Sequence, residues 1–234
     1  MLTNEFWGRY FTVYDSLTEL IPYGELLDLI CDRARAGHAS TVLDVGSGTG
    51  NLALKLRARG ARVIGIDRSI DGLHHHRRKD AGATLIAGDL TRPLPLRDDS
   101  IDVIVSNNAL DAIWRGARSH TLQELLRVLK PGGRIVIASV VAGFSRTTIY
   151  ADHLRAYARA HGILRTVRAA ICALRPTLRI WYFNAQIQKS RRRGGCDLFA
   201  AGEQRANLVS AGFVNVTDDE AACSGQAILN TAEK

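Results

Sequence analysis

No two of the four cysteines, Cys31, Cys172, Cys196 and Cys223, form a C-x-x-C pair, so their scatter suggests neither a zinc site nor a disulfide framework. No stretch reaches the roughly 18 consecutive apolar residues that span a bilayer. No basic start is followed by an apolar run, so a secretory leader is not predicted. A reduced, cytoplasmic chain is the expectation. No internal repeat or low-complexity tract interrupts the 234 residues, a length that suits one α/β domain with a buried sheet plus a lid.

Charge is unevenly placed. The chain carries 31 Lys or Arg against 23 Asp or Glu, net +8. Residues 142–196 hold eleven of the bases and the single acid Asp152, which leaves 20 basic and 22 acidic residues elsewhere. Any surface that meets an anionic partner therefore belongs to this segment, while the rest of the chain is near neutral.

The most informative run is Val42-Leu43-Asp44-Val45-Gly46-Ser47-Gly48-Thr49-Gly50-Asn51, an apolar strand that breaks into a glycine turn and then continues as the helix former Leu52-Ala53-Leu54-Lys55-Leu56. Glycine lets the backbone take positive φ and approach a ligand closely, and a helix start presents unpaired N–H groups. A second strand, Val63-Ile64-Gly65-Ile66-Asp67, ends in a carboxylate 23 residues after Asp44, where ribose hydroxyls are held in nucleotide cradles. Short apolar strands at about 41–45, 62–67, 84–87, 101–106 and 134–141 alternate with polar-faced helices. That pattern predicts right-handed βαβ units on a parallel sheet.

The Gly-x-Gly-x-Gly spacing, with an acid two positions before it, resembles motif I of class I S-adenosylmethionine-dependent methyltransferases. Ala87-Gly88-Asp89-Leu90 resembles the end of that family's third strand. Asp102 to Leu110 resembles the fourth, and Leu125 to Arg134 the helix and turn before the fifth. The resemblance covers residues 40–141. Tyr14-Asp15 and its spacing to motif I resemble a small-molecule branch that includes quinone-biosynthesis C-methyltransferases.

The resemblance implies a doubly wound, Rossmann-like, seven-stranded, mostly parallel sheet with an antiparallel edge hairpin and a helical lid. Residues 1–38 would be a helical cover, 40–141 the donor-binding core, 142–200 the acceptor lid and 201–234 a closing helix and hairpin. It implies S-adenosyl-L-methionine as cofactor, with the turn Gly46, Ser47, Gly48 and Gly50 on the methionine part. Asp67, with neighbouring Arg68, would take the ribose, and Asp89 with Leu90 the adenine. Asp44 would orient the loop or bind the ammonium, Asn107 would lie near the reactive methyl, and Tyr14 would fold over the sulfonium. Each has a plainer reading: a tight turn, helix caps at Asp67 and Asp89, loop capping by Asn107 and Asn108, and Tyr14 packed with Phe6 and Tyr10 on one helix face.

Other segments carry their own expectations. A helix within residues 4–37 is predicted with Pro22 in its first turn and Gly37 at its end. Residues 145–190 read as amphipathic helix, with Tyr150, Leu154, Tyr157, Ala158 and His161 on one face, then Leu164, Val167, Ile171 and Leu174 with arginines opposite. Leu178 to Phe183 is dense in apolar and aromatic groups, and Arg191 to Gly195 reads as an exposed turn. Residues 212–217 and 226–231 read as closing strands. His74-His75-His76 cannot converge on one metal from consecutive helical positions about 100° apart, and is read as a solvated face. Nothing in the spacing selects a general base among His120, His153, His161, Asp111 and Tyr150.

The leading expectation is methyl transfer to a small-molecule or lipid-like acceptor, with peripheral membrane contact through the basic lid as an accessory role. RNA methylation is disfavoured because no RNA-binding module, Asn-Pro-Pro-Tyr-type motif or pyrimidine-attacking cysteine is present, and DNA is not expected as a partner. A nicotinamide oxidoreductase is disfavoured by the turn spacing and by the lack of a Tyr followed four residues later by Lys. A non-catalytic partner subunit of the same fold and the oligomeric state are left open.

Overall fold

Strand formation follows burial. In the computed structural model, which describes residues 4–192 and 198–234, the apolar runs become β1 (Thr41–Val45), β2 (Arg62–Asp67), β3 (Thr84–Ala87), β4 (Ile101–Asn107) and β5 (Leu129–Val140). Two more strands, β6 (Glu220–Ala222) and β7 (Ala227–Glu233), complete a seven-stranded sheet of order β3-β2-β1-β4-β5-β7-β6. The pairs among β1 to β5 are parallel, and β7 runs antiparallel to both β5 and β6.

Helices cover both faces. Leu43, Val45 and Ile104 pack with α5 (Arg115–Val128) and α8 (Glu203–Ala211), whereas Val42 and Val105 pack with α2 (Ile21–Ala34) and α3 (Asn51–Ala58). Alternate residues of one strand thus enter opposite cores, as the two-residue period of a strand dictates. Each fully buried aliphatic side chain, such as Leu125 or Ile135, contributes about 1.5–3 kcal/mol. The order reverses at β1, whose neighbours are β2 and β4, and a crevice opens at the carboxyl ends of the strands there.

Three elements frame that crevice. Helix α1 (Asn4–Tyr14) and the 3₁₀ turn Asp15–Glu19 lie beside it, with α4 (Ile70–Lys79) behind. Asp15 ties this cover to the glycine turn by accepting from Thr49 Oγ1 at 2.6 Å and from Lys79 Nζ at 2.9 Å. The lid is two helices, α6 (Arg146–His161) and α7 (Ile163–Arg192), hinged at Gly162, whose φ of 80° no other residue type adopts as readily.

Several expectations need correction. Helix α2 ends at Ala34, with Arg35 in the left-handed conformation, three residues before Gly37. Residues 212–217 are not a strand. They meet β7 at a Val214–Glu233 bridge and again where Thr217 N–H donates to Thr231 O, without a continuous ladder, because Gly212 and Asn215 adopt positive φ, which breaks extended geometry, and β6 lies further on. Strand β5 begins at Leu129 rather than 134, with a register shift that absorbs the Pro131-Gly132-Gly133 turn. Along α7 the face turned to the protein carries Ile180 and Phe183, packed on Tyr10, Phe11 and Val13 of α1. The predicted apolar stripe is exposed: Leu164 is 88% accessible and Ile171 68%. Arg191 and Arg192 continue α7 instead of forming a turn, and residues 193–195 and Cys196 lie outside the described residues.

Candidate active site

A cavity of about 430 Å³ runs from the carboxyl ends of the strands to the lid. Its size falls in the roughly 300–1,000 Å³ range of small-molecule sites. The turn after β1 forms one end. Gly46 N–H and Ser47 N–H both donate to Ile66 O, at 2.8 and 3.0 Å, and Gly48 N–H donates to Asp67 Oδ2 at 2.9 Å. The loop is thereby pinned to the end of β2. Gly46 has φ 73°, and a Cβ there would stand 2.2 Å from the Ala109 Cβ, so only glycine fits.

Two buried carboxylates sit at this end. Asp44 is 2% exposed, and burial pushes its carboxyl up to about 7, with the neighbouring Asp67 adding to the rise and the Ala53 N–H opposing it. Burial raises Asp67 as well, partly offset by the N–H groups of Ser69 and Gly48 that its two oxygens accept. Asp89 differs. It is exposed at the end of β3, and the N–H and hydroxyl of Thr91 hold it below the usual carboxylate range despite some burial.

Tyr14, Asp44, Gly46, Ser47, Gly48, Asp67, Arg68, Asp89, Leu90 and Asn107 all line the cavity, so the fold brings together ten of the residues singled out from the sequence. Gly50 does not. The space its missing side chain leaves is filled by His76, whose ring a Cβ at Gly50 would approach to 2.3 Å. This also corrects the reading of the histidine run: His74 is exposed, but His76 is 1% exposed.

Tyr14 is not alone over the site. Its hydroxyl bonds that of Tyr23 at 2.9 Å, and Asn107 Nδ2 donates to the Tyr23 hydroxyl at 3.2 Å. Burial, then the adjacent Tyr23, raises the Tyr14 phenol well above its ordinary value. Tyr23 escaped the sequence reading because it lies on the inner side of α2 and reads as core. Of the general-base candidates, Asp111 and Tyr150 line the cavity. His153 instead accepts the Ile21 N–H through Nδ1 at 3.2 Å, His161 packs on Tyr157, and His120 is exposed.

At the strand-tip end of the cavity, buried polar atoms without a hydrogen-bond partner include Asp44 Oδ2, Ser47 Oγ, Asn51 Nδ2, Asn107 Oδ1 and Asn108 Oδ1. Buried polar groups are nearly always paired, so acceptors and donors left over in one hollow point to a ligand with both. S-adenosyl-L-methionine fits this set: its ammonium suits Asp44, its ribose hydroxyls suit Asp67, and its carboxylate suits the donors left over.

A sheet of this order, with its last strand reversed and acids at the tips of β1, β2 and β3, defines the class I S-adenosyl-L-methionine-dependent methyltransferase architecture. Residues 42–133 match the family model described as a methyltransferase domain. The chain is 37% identical over 137 residues to a malonyl-[acyl-carrier protein] O-methyltransferase of Erwinia pyrifoliae and 38% identical over 132 residues to a demethylmenaquinone methyltransferase of Clavibacter sepedonicus. These matches take in 58% and 54% of this chain, and 50% and 53% of the relatives, so the chain spans about half the length of the relatives it matches. The fold is similar to that in the complex of the Haloferax volcanii Trm112 methyltransferase activator with its methyltransferase, at a TM-score of 0.64 and 18% identity over 100% of this chain and 99% of that one. Residues 42–133 thus match a methyltransferase domain, and the fold is that of the class I S-adenosyl-L-methionine-dependent methyltransferases, whose cofactor is S-adenosyl-L-methionine.

Proposed function

We propose that the chain transfers the methyl group of S-adenosyl-L-methionine to a small-molecule or lipid-like acceptor held under the α6–α7 lid. The continuity of one cavity from the strand tips to the lid carries this reading, since donor and acceptor must meet in line with water excluded. The bound donor supplies an electrophilic methyl on a sulfonium. Asp67 and Arg68 would hold its ribose, Asp89 and Leu90 its adenine, and the turn at Gly46, Ser47 and Gly48 with Asp44 its amino-acid part. Asn107, held by Tyr23, and Tyr14 line the space between that end and the lid.

The relatives named for malonyl-[acyl-carrier protein] and for demethylmenaquinone act on different acceptors, and the family model stops before the lid. Acceptor choice is therefore read from residues 142 onward. Calorimetry tests the donor half. The wild-type chain is expected to bind S-adenosyl-L-methionine, and Asp67→Ala to weaken binding at least about tenfold, the value of one lost charge-assisted hydrogen bond. No binding by the wild-type chain would sink the proposal.

A second observation favours docking on an anionic lipid surface. Leu164, Val167, Ile171, Leu174, Leu178 and Tyr182 recur every three or four residues along α7, and all are more than half exposed. Arg165, Arg168, Arg175 and Arg179 each follow a stripe residue by one position, roughly 100° round the helix, so they border the apolar face instead of opposing it. Such a helix lies in a membrane interface with its arginines at the headgroups, each contributing about 1 kcal/mol near an anionic surface. Among the described residues no helix is long and apolar enough to cross a membrane. Co-sedimentation with phosphatidylglycerol vesicles but not phosphatidylcholine ones is expected, with loss on Leu164→Glu together with Ile171→Glu. Equal recovery with both lipids, or none, would count against it. The free thiols Cys31, Cys172 and Cys223 support a reduced, cytoplasmic setting.

A further inference from the structure

The lid end of the cavity holds a positive charge that no group among the described residues neutralises. Arg146, in the first turn of α6, lines the cavity, and its Nη1 is buried with no hydrogen-bond partner. Among the described residues it has no carboxylate within ion-pair distance. Trp181 of α7 also lines the cavity, beside Tyr150, which lies one helical turn after Arg146, and its Nε1 is likewise buried and unpaired. Its ring meets that of Tyr150 edge-on at 5.9 Å between centroids. Phe144, Ile149 and Ile180 also line the cavity, and the lid contributes only neutral polar groups such as Asn184 and Gln188 besides. The acids of the cavity, Asp44, Asp67, Asp89 and Asp111, come from the strand tips and the turn after β4 instead.

A guanidinium nitrogen withdrawn from water without a counter-charge is costly, as is an indole N–H without an acceptor. Both costs vanish when a ligand brings an anionic oxygen. Arginine and tryptophan supply only donors, so the missing partner must accept. We infer that the acceptor substrate is an apolar-bodied acid, a flat ring or chain bearing a carboxylate or an ionised enol or phenol oxygen, whose oxygen is held by Arg146 and Trp181 under the lid. The inference rests on the methyl-transfer reading for calling this ligand the acceptor, but the anion site itself is testable alone. Lid and cover then have distinct tasks. The aromatic walls select the body of the substrate, and the two donors set which end enters first.

The test compares 2-naphthoate with 2-naphthamide, which share shape and differ in charge. Binding is measured by calorimetry on the full chain, with and without saturating S-adenosylhomocysteine. The wild-type protein is expected to bind the naphthoate about tenfold or more tighter than the amide, in keeping with a charge-assisted pair worth at least about 1.4 kcal/mol. Arg146→Gln is expected to abolish that preference while leaving S-adenosylhomocysteine affinity within about twofold, which also shows that the variant is folded. Trp181→Phe should reduce naphthoate binding and keep part of the preference. Equal binding of the two probes to wild type overturns the inference, as does a preference that survives Arg146→Gln or a naphthoate that fails to bind at millimolar concentration. Failure of S-adenosylhomocysteine to bind, with the naphthoate preference intact, would count against the methyl-transfer reading and leave the anion site standing.

Discussion

Asp44→Asn should make the protein more stable and less able to hold its donor, because the ionised carboxylate is kept at a thermodynamic cost. Its carboxyl is pushed from an ordinary 3.8 up to about 7, mainly by burial. At about 1.36 kcal/mol per pH unit, the ionised form costs the folded state about 4 kcal/mol above pH 7. The sign follows from proton uptake. Between 3.8 and about 7 the folded state binds more protons than the unfolded one, so stability is greatest below this window, falls as pH rises through it and reaches its floor above 7.

Asparagine removes the titration but places an amide NH₂ where Asp44 Oδ2 has no partner, at a cost of about 1–3 kcal/mol at every pH. The stability of Asp44→Asn relative to wild type should therefore rise by roughly 3 kcal/mol between pH 5 and pH 8, ending about 1–3 kcal/mol above wild type. Urea unfolding of both proteins at the two pH values measures this, and taking the difference cancels every other titrating group. Repeating the pH 8 pair with S-adenosyl-L-methionine separates function from stability: a ligand at 100 times its Kd adds about 2.7 kcal/mol, which wild type should gain and Asp44→Asn largely forfeit. A difference that stays flat with pH, or an Asn variant that keeps the full stabilisation by ligand, would refute the reasoning.

Gly46→Ala should cost about 2–5 kcal/mol in urea unfolding, from forcing a side chain to φ 73° and from a Cβ 2.2 Å from that of Ala109, which has no rotamer to escape into. The control Gly37→Ala, which meets no atom within 4 Å and has ordinary φ, should change stability by less than about 1 kcal/mol. Glu203→Ala should destabilise by about 1–3 kcal/mol in the same assay, since Arg118, with a side chain 3% exposed, would lose its pairing with this carboxylate. Arg115→Ala removes the outer partner of the same Glu203, 62% exposed, and should cost under about 1 kcal/mol.

The core was legible in the sequence because its signals are local. A parallel strand buried on both faces must be a short apolar run, and a turn that brings the backbone close to a ligand must be glycine-rich. Both are written in consecutive residues such as Val42 to Gly50. The acids Asp44, Asp67 and Asp89 were legible for the same reason, each standing at the end of such a run. Gly50 was not decided by the sequence, because a glycine serves close packing as readily as ligand approach, and its neighbour His76 is 26 positions away.

Periodicity along residues 163–182 shows that an apolar face exists, but not what lies against it. Which side of α7 meets α1, and which is left bare, depends on where Gly162 turns the lid over the sheet. Long-range placement likewise made Tyr23 a partner of Tyr14 and Asn107, and set Arg146 and Trp181, from the two lid helices, around one cavity. Pattern and spacing encode elements and the chemistry at their ends. Pairings across the crevice depend on the packing angles of separate helices, which no stretch of consecutive residues records.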